Sequence, residues 1–219
     1  MDGTGLLFAP FVRALSGFRE PRVVEYPQDR KLSLLELSEI VLQRLPQEAV
    51  VVAESFSGLV ALSLIQRAPS RLRGVVFVGA FAEPPRPMLA RLAGALSPAA
   101  SLASAIPAFF LRKYCLGEQA GAAELKIFRD AVSRVHPSVI AHRLGMISGT
   151  RFRKFGSGVP ACYLRATRDR LVPAGCATWF EEHFDSCSVV DVPGPHFLLQ
   201  ANPEGCKQEI QSFLDRISA

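Results

Sequence analysis

An α/β fold built on a mainly parallel sheet, with helices on both faces, is predicted for this chain by three observations. Short β-branched runs alternate with stretches whose apolar residues recur at helical spacing. One of these runs, A-V-V-V at 49–52, is apolar throughout, as a strand covered on both faces must be. It ends in A-E-S-F-S-G at 53–58 and passes at once into L-V-A-L-S-L-I, which leaves almost no loop between strand and helix.

The elements follow in order. R-V-V-E-Y at 22–26 reads as a strand closed by Pro27. Leu34, Leu37, Val41 and Leu45 then recur on one helical face, and Pro46 ends that helix. The strand at 50–54 and the apolar helix at 56–67 come next, followed by the strand G-V-V-F-V-G at 74–79. From 83 to 155 the rhythm changes. That stretch opens E-P-P-R-P, turns rich in Ala and Leu, and carries two amphipathic faces (Leu125, Phe128, Val132, Val135 and Ile140, Leu144, Ile147) but no convincing strand. A helical insertion is expected there, between a first core part at 1–82 and a second at 156–219. Alternation resumes with the strand A-C-Y-L-R-A at 161–166, a helix near 174–184 and the strand S-V-V-D-V at 188–192. In the last helix Asn202 caps, Pro203 suits the first turn, and Cys206, Ile210, Phe213 and Ile217 share a face.

Composition narrows the function classes. The chain has 219 residues, of which 49% are hydrophobic and 21% charged, so it buries a sizeable core. Its net charge of +5 is carried mostly by arginine and is scattered, the densest group being R-F-R-K at 151–154; no stripe with interleaved aromatics suggests nucleic acid. The five cysteines have no C-x-x-C spacing and no partner histidines at metal-ligand spacing, which points to a reducing compartment and no metal. The first residues lack the basic start of a signal peptide, and the longest nearly apolar stretch, 99–111, is broken by Pro107 and falls short of the ~20 residues of a membrane span. A cytoplasmic protein is expected.

The tight turn at 53–58 has a chemical reading. A serine on a sharp strand-to-helix turn is held in strained backbone with its hydroxyl pushed out of the sheet. That crossing needs small residues two before and two after the nucleophile; Ala53 and Ser57 satisfy this around Ser55, whereas Ser57 as nucleophile would place Leu59 at a small position. Two other strand ends carry reactive groups: Asp169 in A-T-R-D-R-L-V-P and His196 in P-G-P-H-F. A serine hydroxyl needs a base within reach, and the base needs an anion to fix its tautomer. Ser55, Asp169 and His196 stand in that order, each beyond the carboxyl end of a strand, where sites of open parallel sheets lie. Glu83 is the spare acid. His136, His142 and His183 fall in helical patterns and Asp191 in a strand, and all four read as surface or packing residues.

With the elbow A-E-S-F-S-G, the acid loop T-R-D-R-L-V-P, the histidine loop G-P-H-F and the insertion after 74–79, the sequence resembles the α/β-hydrolase superfamily over essentially its whole length. Among the branches it is most similar to small cap-bearing serine esterases and thioesterases, some of which act on acyl carrier proteins. The resemblance implies an oxyanion hole made by the backbone N–H of Phe56 and by a second donor in the loop containing D-G-T-G, at Met1 or Asp2. It also implies a strand ahead of that loop, lying between 22–26 and 50–54; since the sequence does not contain it, an N-terminally truncated core is expected, testable in the in-frame codons before Met1. The insertion is expected to act as a cap, with Phe109, Phe110 and Leu111 lining an acyl pocket. Three functions then stand open: a carboxylesterase for short- to medium-chain acyl esters, a thioesterase or acyl-carrier esterase whose basic face meets an acidic carrier, and an inactive binding protein. No cofactor is implied.

Overall fold

Among the described residues the alternating runs form a single four-stranded sheet, in which strands β1 (Ala49–Glu54), β2 (Leu72–Val78), β3 (Ala161–Ala166) and β4 (Cys187–Val192) lie side by side in that order, every neighbouring pair parallel. The computed structural model describes residues 2–85, 106–153 and 155–218. Parallel neighbours need crossovers, and helices supply them: α1 (Ala9–Leu15) and α2 (Leu34–Arg44) precede β1, and α3 (Phe56–Arg67) joins β1 to β2. Between β2 and β3 the described residues hold a short α4 (Ala108–Leu111) that runs on through Arg112–Leu116, then α5 (Ala122–Ser133) and α6 (Pro137–Gly149), with no strand. The second half adds α7 (Cys176–His183), α8 (Leu198–Ala201) and α9 (Pro203–Arg216).

Period-two alternation sends successive side chains of the central strands to opposite faces. Val75 and Phe77 of β2 and Ala161 and Tyr163 of β3 join one cluster, where Leu59 and Leu62 of α3 and Phe180 of α7 meet them. Val76, Val78, Cys162 and Leu164 point the other way, into a cluster closed by Phe11 and Leu15 of α1 and by Cys206, Ile210 and Phe213 of α9. Each large apolar side chain so buried stabilises the fold by about 1.5–3 kcal/mol. Helix entry is locally specified too. Ser33 and Glu36 form a reciprocal capping box at α2, and the Asn202 side chain accepts the Gly205 N–H at the start of α9.

One predicted strand is corrected. Residues 22–26 form no strand and are not paired into the sheet; the Tyr26 N–H donates to the Gly3 carbonyl at 2.9 Å instead. An apolar groove of about 200 Å³ is lined by Val23 and Val24 of this segment together with Val50, Val51 and Val52 of β1. Backbones must approach to ~4.8 Å to share a ladder, and the described sheet does not include this segment. Among the described residues β1 is therefore an edge strand, and its three valines are only half-buried. No helix among the described residues is long and apolar enough to cross a membrane.

Candidate active site

Ser55, Asp169 and His196 are brought together at the carboxyl-end rim of the sheet. Ser55 sits between the end of β1 and the start of α3 with φ 55° and ψ −119°, one of two non-glycine residues at positive φ among those described. Such a conformation costs of order 1–3 kcal/mol and persists only where neighbours over-determine it. They do so here. The Ser55 N–H donates to the Val78 carbonyl at 2.9 Å, its own carbonyl accepts the Gly58 N–H at 2.9 Å, and Gly58 lies so close to the residues after β2 that a Cβ there would stand 2.6 Å from the Ala80 Cβ.

His196 Nε2 lies 2.9 Å from the Ser55 Oγ, and His196 Nδ1 lies 2.7 Å from Asp169 Oδ2. A carboxylate only accepts, so a neutral imidazole facing it carries its proton on Nδ1 and leaves the Nε2 lone pair to the serine hydroxyl. The other carboxylate oxygen of Asp169 accepts the Leu171 and Val172 N–H groups at 2.8 and 2.9 Å, which fixes the acid's orientation. The side chains of His196 and Asp169 are 1% and 6% exposed, so this chain of bonds is shielded from competing water. Gly79, at φ +50°, passes directly beneath; a Cβ there would meet Asp169 Oδ2 at 3.3 Å and His196 Nδ1 at 3.4 Å. It is Asp169, not the exposed Glu83, that faces the imidazole.

A small cavity of about 30 Å³ opens on Ser55. Asp2, Gly3, Leu7, Tyr26, Glu54 and Phe197 are among its walls. Phe56 is the first residue of α3, so its N–H belongs to the helix's first turn, where donors lack intrahelical partners. Asp2 is tightly built in: its carboxylate accepts from the Thr4 N–H and hydroxyl at 2.9 and 2.7 Å, and its backbone carbonyl accepts from Arg143 at 2.7 Å. Met1 lies outside the described residues.

The residues expected to line an acyl pocket stand apart from the described cavity at Ser55. Phe109 is 70% exposed with Lys113 over its ring, Phe110 meets the Tyr114 ring at a tilt of 43°, and Leu111 is fully buried; none of them borders the cavity at Ser55. The cause is helical geometry, since the turn that buries Leu111 swings Phe109 outward. Three residues at the site escaped the sequence reading. Glu54 is 6% exposed, and burial pushes its carboxyl above the usual range while bonds from Gln200 and Leu199 act the other way. Tyr26 reaches the Ser57 hydroxyl at 3.5 Å, and burial raises its phenol. Arg143 is 2% exposed and donates to the carbonyls of Asp2 and Pro27, both at 2.7 Å, from the otherwise apolar face of α6. A lone charge in an apolar pattern was the available signal for both Glu54 and Arg143.

Comparison with known proteins adds the family. A model described as "Alpha/beta hydrolase family" matches residues 9–209. A pimeloyl-[acyl-carrier protein] methyl ester esterase from Yersinia enterocolitica is 26% identical over 194 residues, covering 83% of this chain and 75% of that protein. Among solved structures, a hydrolase from Oleispira antarctica superposes with a TM-score of 0.80 at 11% identity, covering 98% of this chain and 88% of that one. A hydrolase from Pseudomonas aeruginosa PA01 gives 0.76 at 20% identity, with 97% and 86% covered.

Proposed function

Because this chain belongs to the alpha/beta hydrolase family, we propose that it cleaves carboxylic esters through an acyl-enzyme on Ser55. The observation that carries this reading is the unbroken chain from Ser55 Oγ to His196 to Asp169, at 2.9 and 2.7 Å, on a serine held at positive φ. His196 Nε2 takes the hydroxyl proton as Oγ attacks the ester carbonyl, and Asp169 holds the tautomer and stabilises the imidazolium. The tetrahedral oxyanion is received by the Phe56 N–H, with a second donor from the loop that contains Asp2. His196 then returns the proton to the departing alcohol, and water releases the acid by the same steps in reverse order. The helical segment between β2 and β3 serves as the cap over this rim, and its shape selects the acyl group.

Hydrolysis of p-nitrophenyl esters of graded chain length tests the reading. Ser55→Ala and His196→Ala each lower kcat by about 10³-fold or more while the protein stays folded; Ser55→Ala with wild-type turnover refutes it.

A cleft of about 660 Å³ between the Arg112–Leu116 turn and the acid loop favours a second reading, in which the acyl group arrives on an acidic carrier. Arg112, Lys113, Arg168 and Arg170 line it against two carboxylates, Glu118 and Glu124. The Yersinia relative is named for an acyl-carrier-protein ester, which is consistent with this reading. Activity on carrier-borne acyl groups that falls steeply with salt, while activity on free p-nitrophenyl esters does not, supports it; equal salt dependence on both counts against it.

A further inference from the structure

Glu54 is the only charged residue of β1 and stands immediately before Ser55. A buried carboxyl is costly unless it is hydrogen-bonded, and both oxygens of this one are engaged. Oε1 accepts the Leu199 N–H at 3.1 Å, and Oε2 accepts the Gln200 side-chain amide at 3.0 Å. Leu199 and Gln200 lie in α8, just beyond His196. One side chain thus ties the strand that delivers the serine to the turn that delivers the histidine, separately from the bond between Ser55 and His196. A further bond, from the Phe197 N–H to the Cys115 carbonyl at 3.0 Å, holds the same turn toward the helical segment.

We propose that Glu54 is a positioning residue for the reaction, fixing the His196 turn against the nucleophile's strand through its bonds to Leu199 and Gln200. The proposal rests on the ester-hydrolase reading above. Burial raises the Glu54 carboxyl, while Gln200, Leu199 and the charge of His196 draw it back down. Asp169 holds the opposite nitrogen of His196, Asp2 and Tyr26 share the cavity wall with Glu54, and the buried Cys206 thiol of α9 is pushed up to about 12 and stays neutral.

The Gln200 Oε1 atom is buried with no hydrogen-bond partner among the described residues. Rotating that amide would bring an acceptor to residue 54, so a glutamine there could keep both bonds and lose only the charge. The test is kcat and KM of p-nitrophenyl ester hydrolysis for wild type, Glu54→Gln and Glu54→Asp, with melting curves for each. Glu54→Asp shortens the side chain and withdraws the carboxyl from Leu199, so kcat falls about tenfold with KM little changed. Glu54→Gln keeps both bonds and retains kcat within about twofold of wild type. Full kcat in Glu54→Asp, or a folded Glu54→Gln that loses as much kcat as Glu54→Asp, overturns the positioning role. These failures are distinct from failure of the hydrolase reading itself, which would appear as wild-type protein without Ser55-dependent turnover.

Discussion

Replacing Gly79 by alanine perturbs the site without removing any reacting group. The residue has φ +50°, where a side chain costs roughly 1–2 kcal/mol through the clash of Cβ with the following carbonyl. The new Cβ would also stand 3.3 Å from Asp169 Oδ2 and 3.4 Å from His196 Nδ1, the two atoms of a 2.7 Å bond. The atoms it crowds must therefore give by a few tenths of an ångström, and they are the ones that set the imidazole's tautomer and aim. Gly79→Ala should lose about 1–2 kcal/mol in urea unfolding, a drop of about 3–6 °C in Tm for a domain of this size. kcat should fall about 10–100-fold with KM within about twofold, because the damage is to geometry in the reacting complex and not to ground-state binding. Gly145→Ala on α6 is the control, since a Cβ there meets nothing within 4 Å and φ is ordinary; it should gain about 0.5–1 kcal/mol and keep kcat. A Gly79→Ala enzyme with wild-type stability and turnover would refute the claim that this backbone sits tight under the Asp169–His196 pair.

Other consequences follow from burial. Arg143→Ala strips the donors from the carbonyls of Asp2 and Pro27 and should cost about 2–4 kcal/mol by chemical denaturation; a loss under about 0.5 kcal/mol means the contacts are dispensable. Burial pushes the thiols of Cys115, Cys187 and Cys206 up to about 12 and that of Cys176 to about 11, so the native protein should react negligibly with a disulfide reagent at pH 8 and the unfolded protein with all five cysteines. Fast reaction of the folded protein contradicts this. Glu54 sets a pH trend. Its folded-state value is raised, so its contribution to stability is intact below the ordinary glutamate range and is lost as pH rises through the folded value. Relative to wild type, Glu54→Gln should therefore gain unfolding free energy from pH 4 to pH 7; a constant or shrinking difference refutes the sign.

What could be read from the chain depended on whether the signal was local. The strands at β1, β2, β3 and β4 and the elbow at Ser55 were legible because period, β-branching and small residues act within a few positions. The order Ser55, Asp169, His196 was legible because each group follows a strand end in a parallel sheet. Residues 22–26 carry the same local signal as a strand, yet pairing also requires a neighbour at ladder distance, which no local pattern encodes. The exposure of Phe109 was not legible either, since aromatic content does not say which side of a short helix faces solvent. Glu54 and Arg143 are long-range devices, one reaching from β1 to α8 and the other from α6 to the loop at Asp2 and Gly3, so their meaning emerged only with the fold.

Intact-mass and peptide-level analysis after exposure to a fluorophosphonate bears most directly on the role given to Ser55. The reagent phosphonylates only a serine made nucleophilic by its base, whatever the natural acyl substrate is. One adduct per chain, on the peptide containing Ser55 and lost in Ser55→Ala and His196→Ala, is the predicted result. Folded wild-type protein that stays unmodified, or carries its adduct on another residue, would contradict it.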